Sequence, residues 1–199
     1  MTSHRPLRAD AARNRELLLA AAAEEFAERG LDASVADIAR RAGVGKGTVF
    51  RHFPTKDDLL AAVVQDRITR LIEAAERLLD AEDAGAALLE FLGLAALGQQ
   101  EFDQSFLQRS GRLSPEMTRL QKRLFQAIDA LVERARDHKA VRPDVTGTDV
   151  ILLMCVPNHV VGYVPDPPPD LWRRYLALIF DGLRPEAAHP LPHPPPESL

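Results

Sequence analysis

The chain has 199 residues, of which 46% are hydrophobic, 27% are charged and one is a cysteine. This composition excludes fibrous, disordered and disulfide-stapled proteins, because it supplies apolar surface for a core and no second thiol for a disulfide. Cys155 lies in an apolar run, which is typical of a small buried residue rather than a nucleophile or a metal ligand. No apolar run approaches the roughly 20 residues of a membrane span, and no signal peptide is recognisable, so we expect a cytoplasmic protein.

The net charge of −4 is unevenly distributed along the chain. Residues 34–56 contain five basic side chains and one acidic side chain, Asp37, so this segment has a net charge of +4. The five are Arg40, Arg41, Lys46, Arg51 and Lys56. Such a basic segment in an acidic chain is the electrostatic footprint of a surface that binds a polyanion.

Proline placement and hydrophobic periodicity predict an all-α fold. Between residues 13 and 142 only Pro54 and Pro115 interrupt the chain, and no sustained alternation indicates a strand. The first helix is predicted from about Arg13 to Arg29, where Gly30 ends it. Its apolar face has the spacing i, i+3, i+4, i+7 and consists of Leu19, Ala22, Ala23 and Phe26.

Two short helices are predicted next. Ser34 is the expected N-cap of the first, with Asp37 three residues later as in a capping box, and Gly43 ends it. The second runs from about Lys46 to Phe53, before Pro54. Two short helices joined by a glycine turn and packed on a longer helix form a helix-turn-helix, whose second helix enters the DNA major groove.

Five further stretches have helical periodicity, and a short helix is expected near residues 104–108. The long ones are predicted at about 55–79, where Thr55 is the cap, and at 84–100, 114–137, 148–164 and 170–183. Pro157 is expected to kink the helix at 148–164, and the proline-rich segment 164–170 to form an extended connection. The tail from Pro185 onward contains six prolines in 15 residues, so we expect it to be disordered and dispensable.

The third helix carries the residue types that DNA recognition requires. Gly45, Gly47 and Thr48 are small enough to let a helix N-terminus approach a phosphate closely. Four residues supply hydrogen-bond donors to phosphates or base edges: Lys46, Arg51, His52 and Lys56. These features predict a DNA-binding unit.

Residues 12–66 resemble the DNA-binding domain of the TetR/AcrR family of bacterial transcriptional regulators. The resemblance rests on the segments RELLLAAA, FAERG and DIARRAGVGKGTVFRHFPTKDDLL, which occur in register without an insertion. It implies a homodimer with a helical C-terminal domain that dimerises and binds a small ligand. The implied organisation is a flexible arm (1–11), a helix-turn-helix domain (12–70), a ligand-binding and dimerisation domain (71–184) and a disordered tail (185–199).

The same resemblance implies which side chains face DNA. They are Ser34 and Val35 at the start of the second helix and Lys46, Gly47, Thr48, Phe50, Arg51 and His52 on the third. Lys56 matches a lysine that holds a phosphate. Two positions depart from the family pattern, because Gly45 stands where serine is frequent and Phe50 where tyrosine is frequent. Without a hydroxyl, Phe50 would pack apolarly or contact a thymine methyl group.

The C-terminal half gives candidates for a ligand pocket and a dimer interface. The pocket candidates are Phe91, Phe102, Phe106, Met117, Phe125, Met154, His159 and Tyr163. They have the same pattern as core residues of a helical bundle, and we favour a core or interface role for His159 and Tyr163. The last helix also resembles that of family members, which implies that the two final helices pair with their symmetry mates. The interface candidates are Leu171, Trp172, Tyr175, Ile179 and Leu183.

No motif indicates an enzyme, a cofactor or a metal site. The sequence contains no glycine-rich phosphate loop and no serine elbow, and His189 and His193 lie among prolines without a third ligand. The function predicted is a repressor that binds a palindromic operator as a homodimer and is released by a small apolar molecule. The alternatives are a DNA-binding protein without ligand control and a helical enzyme fused to a DNA-binding unit.

Overall fold

A computed structural model describes residues 5–99 and 114–196 of the chain. Within these residues every regular element is helical and no strand occurs, which confirms the all-α prediction. None of the helices in this part of the chain is both long and apolar enough to cross a membrane. The described residues form two compact units, the first comprising 5–67 and the second 68–99 with 114–196. The helix predicted near 104–108 lies outside the described residues.

The first unit contains helices α1 (Arg5–Arg29), α2 (Val35–Arg41) and α3 (Lys46–His52), and helix α4 (Lys56–Leu78) contributes to both units. Helix α1 begins at Arg5, about eight residues before the predicted start, so it includes residues 5–11, which the sequence assigned to an N-terminal arm. The physical reason is the position of Pro6 in the first helical turn, where its missing N–H costs no hydrogen bond. After Pro6, no glycine or proline interrupts the helix before Gly30.

The core of the first unit joins all four of its helices. Leu18 and Phe26 of α1 meet Ile38 of α2, Val49 of α3 and Leu59 of α4, and each of these side chains is at most 5% exposed. Helices of seven residues are too short to be stable in water alone, so α2 and α3 depend on this packing.

The second unit is a helical bundle around α5 (Ala84–Gln99), with α6 (Pro115–Asp137), α7 (Gly147–Val161) and α8 (Leu171–Gly182). Helix α5 packs against all three of the others, and α7 also packs against α6 and α8. Gly147 permits the contact between α6 and the first turn of α7, because a Cβ there would lie 1.8 Å from Asp129 Oδ1.

Pro157 does not end helix α7. The helix continues to Val161, and the Pro157 ring is buried. The next residue, Asn158, donates from Nδ2 to the carbonyl oxygen of Ala96 at 2.6 Å. This bond satisfies a carbonyl near the C-terminal end of α5 and fixes α7 to α5 at the level of the proline.

The start of the C-terminal tail, for which the sequence predicts disorder, contacts a buried arginine. Residues Pro185–Ala187 form a 3-10 turn. Arg142 is only 5% exposed, and its guanidinium donates to Asp144 at 2.5 and 2.8 Å and to the carbonyl oxygen of His189 at 2.5 Å. A buried guanidinium requires acceptors for its donors, and the tail backbone supplies one of them. The same contact with Asp144 lowers the pKa of that carboxyl group.

Two truncations test whether this contact stabilises the protein. A chain that ends at Ala188 loses the acceptor for Arg142, and we expect its free energy of unfolding to fall by about 1–2 kcal/mol. A chain that ends at Leu191 keeps the acceptor and is the matched control, with no expected change. Urea denaturation at one fixed protein concentration measures both, and equal stability of the two chains would show that the contact contributes nothing.

Candidate nucleic-acid interface

Helix α2 begins at the cap that the sequence predicts. The Ser34 side chain accepts from the backbone N–H of Asp37 at 3.1 Å and donates to Asp37 Oδ2 at 2.7 Å. Asp37 also pairs with Arg29 at 3.1 Å and with Arg40 at 2.7 Å. The Ser34 hydrogen bond, assisted by these two cations, lowers the pKa of Asp37. The Ser34 hydroxyl is therefore committed to the cap, while Val35 is half-buried against the core of the first unit.

The turn between α2 and α3 depends on one glycine conformation. Gly43 has φ +69°, a left-handed conformation that side chains other than glycine adopt only with strain. The backbone N–H of Val44 then donates to the carbonyl oxygen of Ala39 at 2.9 Å. Gly45 follows in an extended conformation as the N-cap of α3. This compact turn fixes the direction in which α3 leaves α2.

Helix α3 buries one face and presents the other to solvent. Val49 is buried with Phe53, just after the helix, whereas Phe50 is 48% exposed. The other exposed positions are Lys46, Gly47 and Arg51, and Thr48 and His52 are half-buried. The structure therefore brings the predicted α3 contacts onto one accessible surface, which we call the α3 face: Lys46, Gly47, Phe50 and Arg51.

The packing of the chain does not explain the glycines of this region. A Cβ at Gly45 or Gly47 would meet no atom within 4 Å, and both backbones have conformations open to any residue. Intramolecular packing thus gives no reason for a missing side chain at either position. The N-terminal end of α3 is left accessible to a group from outside the protein.

The structure changes the charge distribution that the sequence suggests. Arg40 pairs with Asp37, and Arg41 pairs with three carboxylates of α1, so neither contributes an isolated positive charge. Among the described residues, neither Lys46 nor Arg51 pairs with a carboxylate, and Arg51 donates only to Thr48 Oγ1 at 3.3 Å. Positive charge is therefore concentrated on the α3 face.

Lys56, predicted to hold a phosphate, is half-buried at the start of α4. Its Nζ donates to the carbonyl oxygen of Leu31 and lies 6.0 Å from the centre of the Phe26 ring. Thr55 caps α4, as predicted, and it exchanges two side-chain-to-backbone hydrogen bonds of 3.0 Å with Asp58. The Leu31 carbonyl oxygen accepts one of the three N–H donors of the Lys56 ammonium group.

Sequence reasoning missed one residue of this unit, the carboxylate Glu25. Its side chain is 2% exposed and lies 3.0 Å from Arg41 Nε and 3.6 Å from Arg29 Nε. Helical spacing in the sequence does indicate that Glu25 is buried, because position 25 is seven residues after Leu18 and therefore on the buried face of α1.

The predicted pocket residues that the structure describes lie in different environments. Phe91 and Met154 are part of the core of the second unit, and Met117 is also buried. Phe125, His159 and Tyr163 are exposed. Phe102 and Phe106 lie outside the described residues. Hydrophobic periodicity could not predict which of these residues are buried and which are exposed, because an apolar residue of a bundle helix can face the core, a cavity or the outside.

A cavity does occur between α5 and α8, and sequence reasoning did not find it. Its volume is about 380 Å³, and its walls are mostly apolar. It is lined by Leu89, Glu90, Gly93, Leu94, Leu97, Trp172, Arg173, Leu176 and Ala177. We call it the α5–α8 groove. Gly93 contributes to its width, because a Cβ there would meet only Leu176 Cδ2, at 3.9 Å. The sequence feature that indicates this cavity is Gly93, a glycine within an otherwise apolar helix.

The predicted interface residues of α8 mostly pack within the chain itself. Trp172 and Leu183 belong to the core of the second unit, and Leu171 and Tyr175 are half-buried against it. Ile179 is also half-buried. Trp172 and Leu183 are only 2% and 7% exposed in the single chain, because α8 packs its apolar stripe on α5 and α7.

Helix α7 instead has an apolar face that points away from the core. Three of its residues, Leu152, Val156 and His159, are exposed at spacings of four and three residues, and Tyr163 continues this spacing in the turn after the helix. We call these four residues the α7 stripe. Tyr163 is 77% exposed, and its ring packs edge-to-face on His159 with centroids 5.4 Å apart. On the neighbouring helix α8, Leu178 is 56% exposed.

Comparison with known families identifies both parts of the chain. Residues 18–63 match the model described as bacterial regulatory proteins, tetR family. Residues 80–185 match the model of the C-terminal domain of SbtR-like transcriptional regulators. The chain belongs to the TetR family of bacterial transcriptional regulators. The DNA-binding, helix-turn-helix character of this TetR-family regulator accords with the geometry of α2 and α3.

Solved structures and curated relatives agree with this assignment. A TetR transcription regulatory protein from Mycobacterium vanbaalenii is 35% identical with a TM-score of 0.68, and the match covers 90% of this chain and 99% of that one. The regulator SCO0520 from Streptomyces coelicolor is 30% identical with a TM-score of 0.65, covering 86% and 98%. The repressor Rv3405c of Mycobacterium tuberculosis is 49% identical over 61 residues. That match spans only 29% of this chain and 32% of the relative.

Proposed function

We propose that the TetR-family regulator is a repressor that binds a two-fold symmetric operator as a homodimer and releases it when a small apolar molecule binds the second unit. The observation that carries the DNA-binding part is the α3 face. It combines two cations without a carboxylate partner among the described residues with glycines that the chain's own packing does not require. A surface of this kind fits a phosphate backbone and the edges of bases.

In this proposal the side chains of the α3 face have different roles. Lys46 and Arg51 bind phosphates or base edges, and Gly45 and Gly47 let the helix N-terminus approach a phosphate. Phe50 contacts a thymine methyl group. Thr48 orients Arg51 through the 3.3 Å hydrogen bond, and His52 and Lys56 add donors at the edge of the surface.

The variant Gly47→Ala tests the effect of this position on DNA affinity independently of its effect on folding stability. Alanine favours a helix over glycine by up to about 1 kcal/mol, and the Cβ has space within the protein, so we expect equal or greater thermal stability. The added methyl group obstructs the DNA backbone, so operator affinity should fall at least about tenfold, equivalent to about 1.4 kcal/mol. Fluorescence anisotropy with operator DNA selected from random sequences measures this. Unchanged affinity in a stable variant would exclude the proposed approach.

The homodimer is proposed to form through the α7 stripe together with Leu178. An outward apolar face with a 77% exposed tyrosine costs free energy in water, and a second copy of the same face removes it from solvent. Two-fold symmetry also doubles the base contacts that a single three-helix unit makes. His159 and Tyr163, first considered for a pocket, are therefore proposed as interface residues.

Val156→Glu places a charge in the centre of the α7 stripe and should convert the dimer to a monomer, because an unpaired charge is costly to bury. Leu191→Glu alters a comparably exposed apolar residue of the tail and is the control, which should remain dimeric. Sedimentation velocity at micromolar concentration measures both. A monomeric wild-type protein, or a dimeric Val156→Glu variant, would contradict the proposed interface.

The α5–α8 groove is the proposed effector site. Its volume lies at the lower end of the range for small-molecule pockets, and leucine side chains and Trp172 form most of its wall. Arg173 lies over the Trp172 ring at 4.9 Å and pairs with Asp170 at 3.1 Å, so a polar edge is available to orient a ligand. Because α4 is shared by both units, it is the proposed connection between effector binding and operator release.

Gly93→Phe should fill the groove, whereas Gly93→Ala, with ordinary contact to Leu176, should leave it open and serves as the control. Small apolar compounds are screened for release of operator DNA from the wild-type protein. Compounds that act on the wild type should act on Gly93→Ala and lose their effect on Gly93→Phe, with operator affinity itself retained. Compounds that still release DNA from Gly93→Phe would place the effector site elsewhere.

A further inference from the structure

An ion cluster connects the last residue of α2 to helix α1. The Arg41 guanidinium reaches Glu25 Oε1 at 3.0 Å, Glu28 Oε2 at 2.7 Å and Glu24 Oε2 at 3.3 Å. The hydrogen bond with Glu28 raises the pKa of Arg41 and lowers that of Glu28, so both groups stay charged near neutral pH. Glu25 is almost fully buried. One guanidinium of α2 thus pairs with three carboxylates from two successive turns of α1.

Helix α2 is held to α1 at its other end as well. Asp37, in the first turn of α2, pairs with Arg29 of α1 at 3.1 Å. Between these two ionic contacts, the only fully buried side chains of α2 are Ile38 and Ala39. Apolar packing has little directional preference, whereas a guanidinium with several carboxylate acceptors fixes distance and angle. The ionic contacts are therefore what sets the orientation of this seven-residue helix on α1.

The orientation of α2 determines that of α3. Only four residues separate the two helices, and the Val44 to Ala39 backbone hydrogen bond closes the turn between them. A rotation of α2 on α1 would move the whole α3 face. We propose that Arg41 is a positioning residue for operator recognition, which acts by clamping α2 to Glu24, Glu25 and Glu28 so that α3 is presented at the angle the major groove requires. This inference rests on the proposed DNA-binding function.

Direct contact between Arg41 and a phosphate is the competing explanation. A phosphate would have to displace three carboxylates from a side chain that is only 28% exposed. The two explanations differ in salt dependence, because each phosphate contact releases condensed counterions when it forms. Loss of a contact lowers the slope of log affinity against log salt by about one, and loss of a positioning residue leaves the slope unchanged.

The experiment measures the operator affinity of Arg41→Ala at salt concentrations from about 50 to about 300 mM, over which counterion release changes the affinity of a DNA-binding protein strongly. We expect at least about a tenfold loss of affinity with the wild-type slope. Arg51→Ala should lose affinity and reduce the slope by about one. Arg40→Ala is the matched control, because Arg40 is adjacent, has a 72% exposed side chain and, among the described residues, pairs with Asp37 alone. Its operator affinity should stay within about threefold of the wild type.

Two further variants keep the inference testable if Arg41→Ala folds poorly with Glu25 left unpaired. Arg41→Lys retains the charge but lacks the branched donors, so partial affinity is expected. The double variant Glu25→Leu with Arg41→Leu replaces the buried pair by apolar side chains, which often preserves or raises stability. It should fold and still bind the operator at least about tenfold more weakly than the wild type.

Three results would overturn the inference: affinity of Arg41→Ala within twofold of the wild type, a slope reduced as in Arg51→Ala, or wild-type affinity in the double leucine variant. Failure of the proposed function looks different, since the wild-type protein itself would then select no DNA sequence.

Discussion

The packing of α2 and α3 on α1 is the constraint on which the DNA-binding surface depends. Each of the two short helices has seven residues, about half the length at which an isolated helix becomes marginally stable. Their conformation is therefore tertiary in origin and comes from a core that includes Phe26, Ile38 and Val49. The polar contacts of Ser34, Asp37 and Arg41 add direction to that packing. Stability of the first unit and presentation of the α3 face are consequently set by the same contacts.

The second unit differs from the first in that one of its helices is apolar on two sides. Helix α7 contributes Val150 and Met154 to the core and leaves Leu152 and Val156 exposed on the opposite side. A helix that is apolar all round is usually buried all round. The inner side of α7 is covered by α5, α6 and α8 of the same chain, and a second chain is the proposed cover for the outer side. This arrangement gives a physical reason for the proposed dimerisation that is separate from DNA symmetry.

Sequence patterns predicted the helices well where caps and breakers are local. Ser34, Thr55 and Ser114 start helices within one residue of expectation, because each side chain meets a backbone N–H only three residues away. The start of α1 was wrong because Pro6 can begin a helix as well as break one. The tail was interpreted as solvated because the acceptor role of the His189 carbonyl depends on Arg142, 47 residues earlier.

Local sequence patterns also predicted part of the candidate site. Exposure of Lys46, Phe50 and Arg51 follows from the burial of Val49 on a short helix, which the local pattern contains. The Glu25–Arg41 pair and the α5–α8 groove required knowledge of which helices are neighbours. Apolar periodicity identifies a helical face but not its partner, so it could not distinguish Trp172 in the core from Val156 on the outside.

The most direct test of the account is a hydroxyl-radical footprint of the full-length protein on DNA selected from random sequences. The account predicts an inverted repeat, with two equivalent protected regions centred about one helical turn, or a multiple of about 34 Å, apart. Both should be protected at the same protein concentration, since one dimer covers them. A single asymmetric protected region, or no sequence enrichment at all, would contradict symmetric operator recognition through the α3 face.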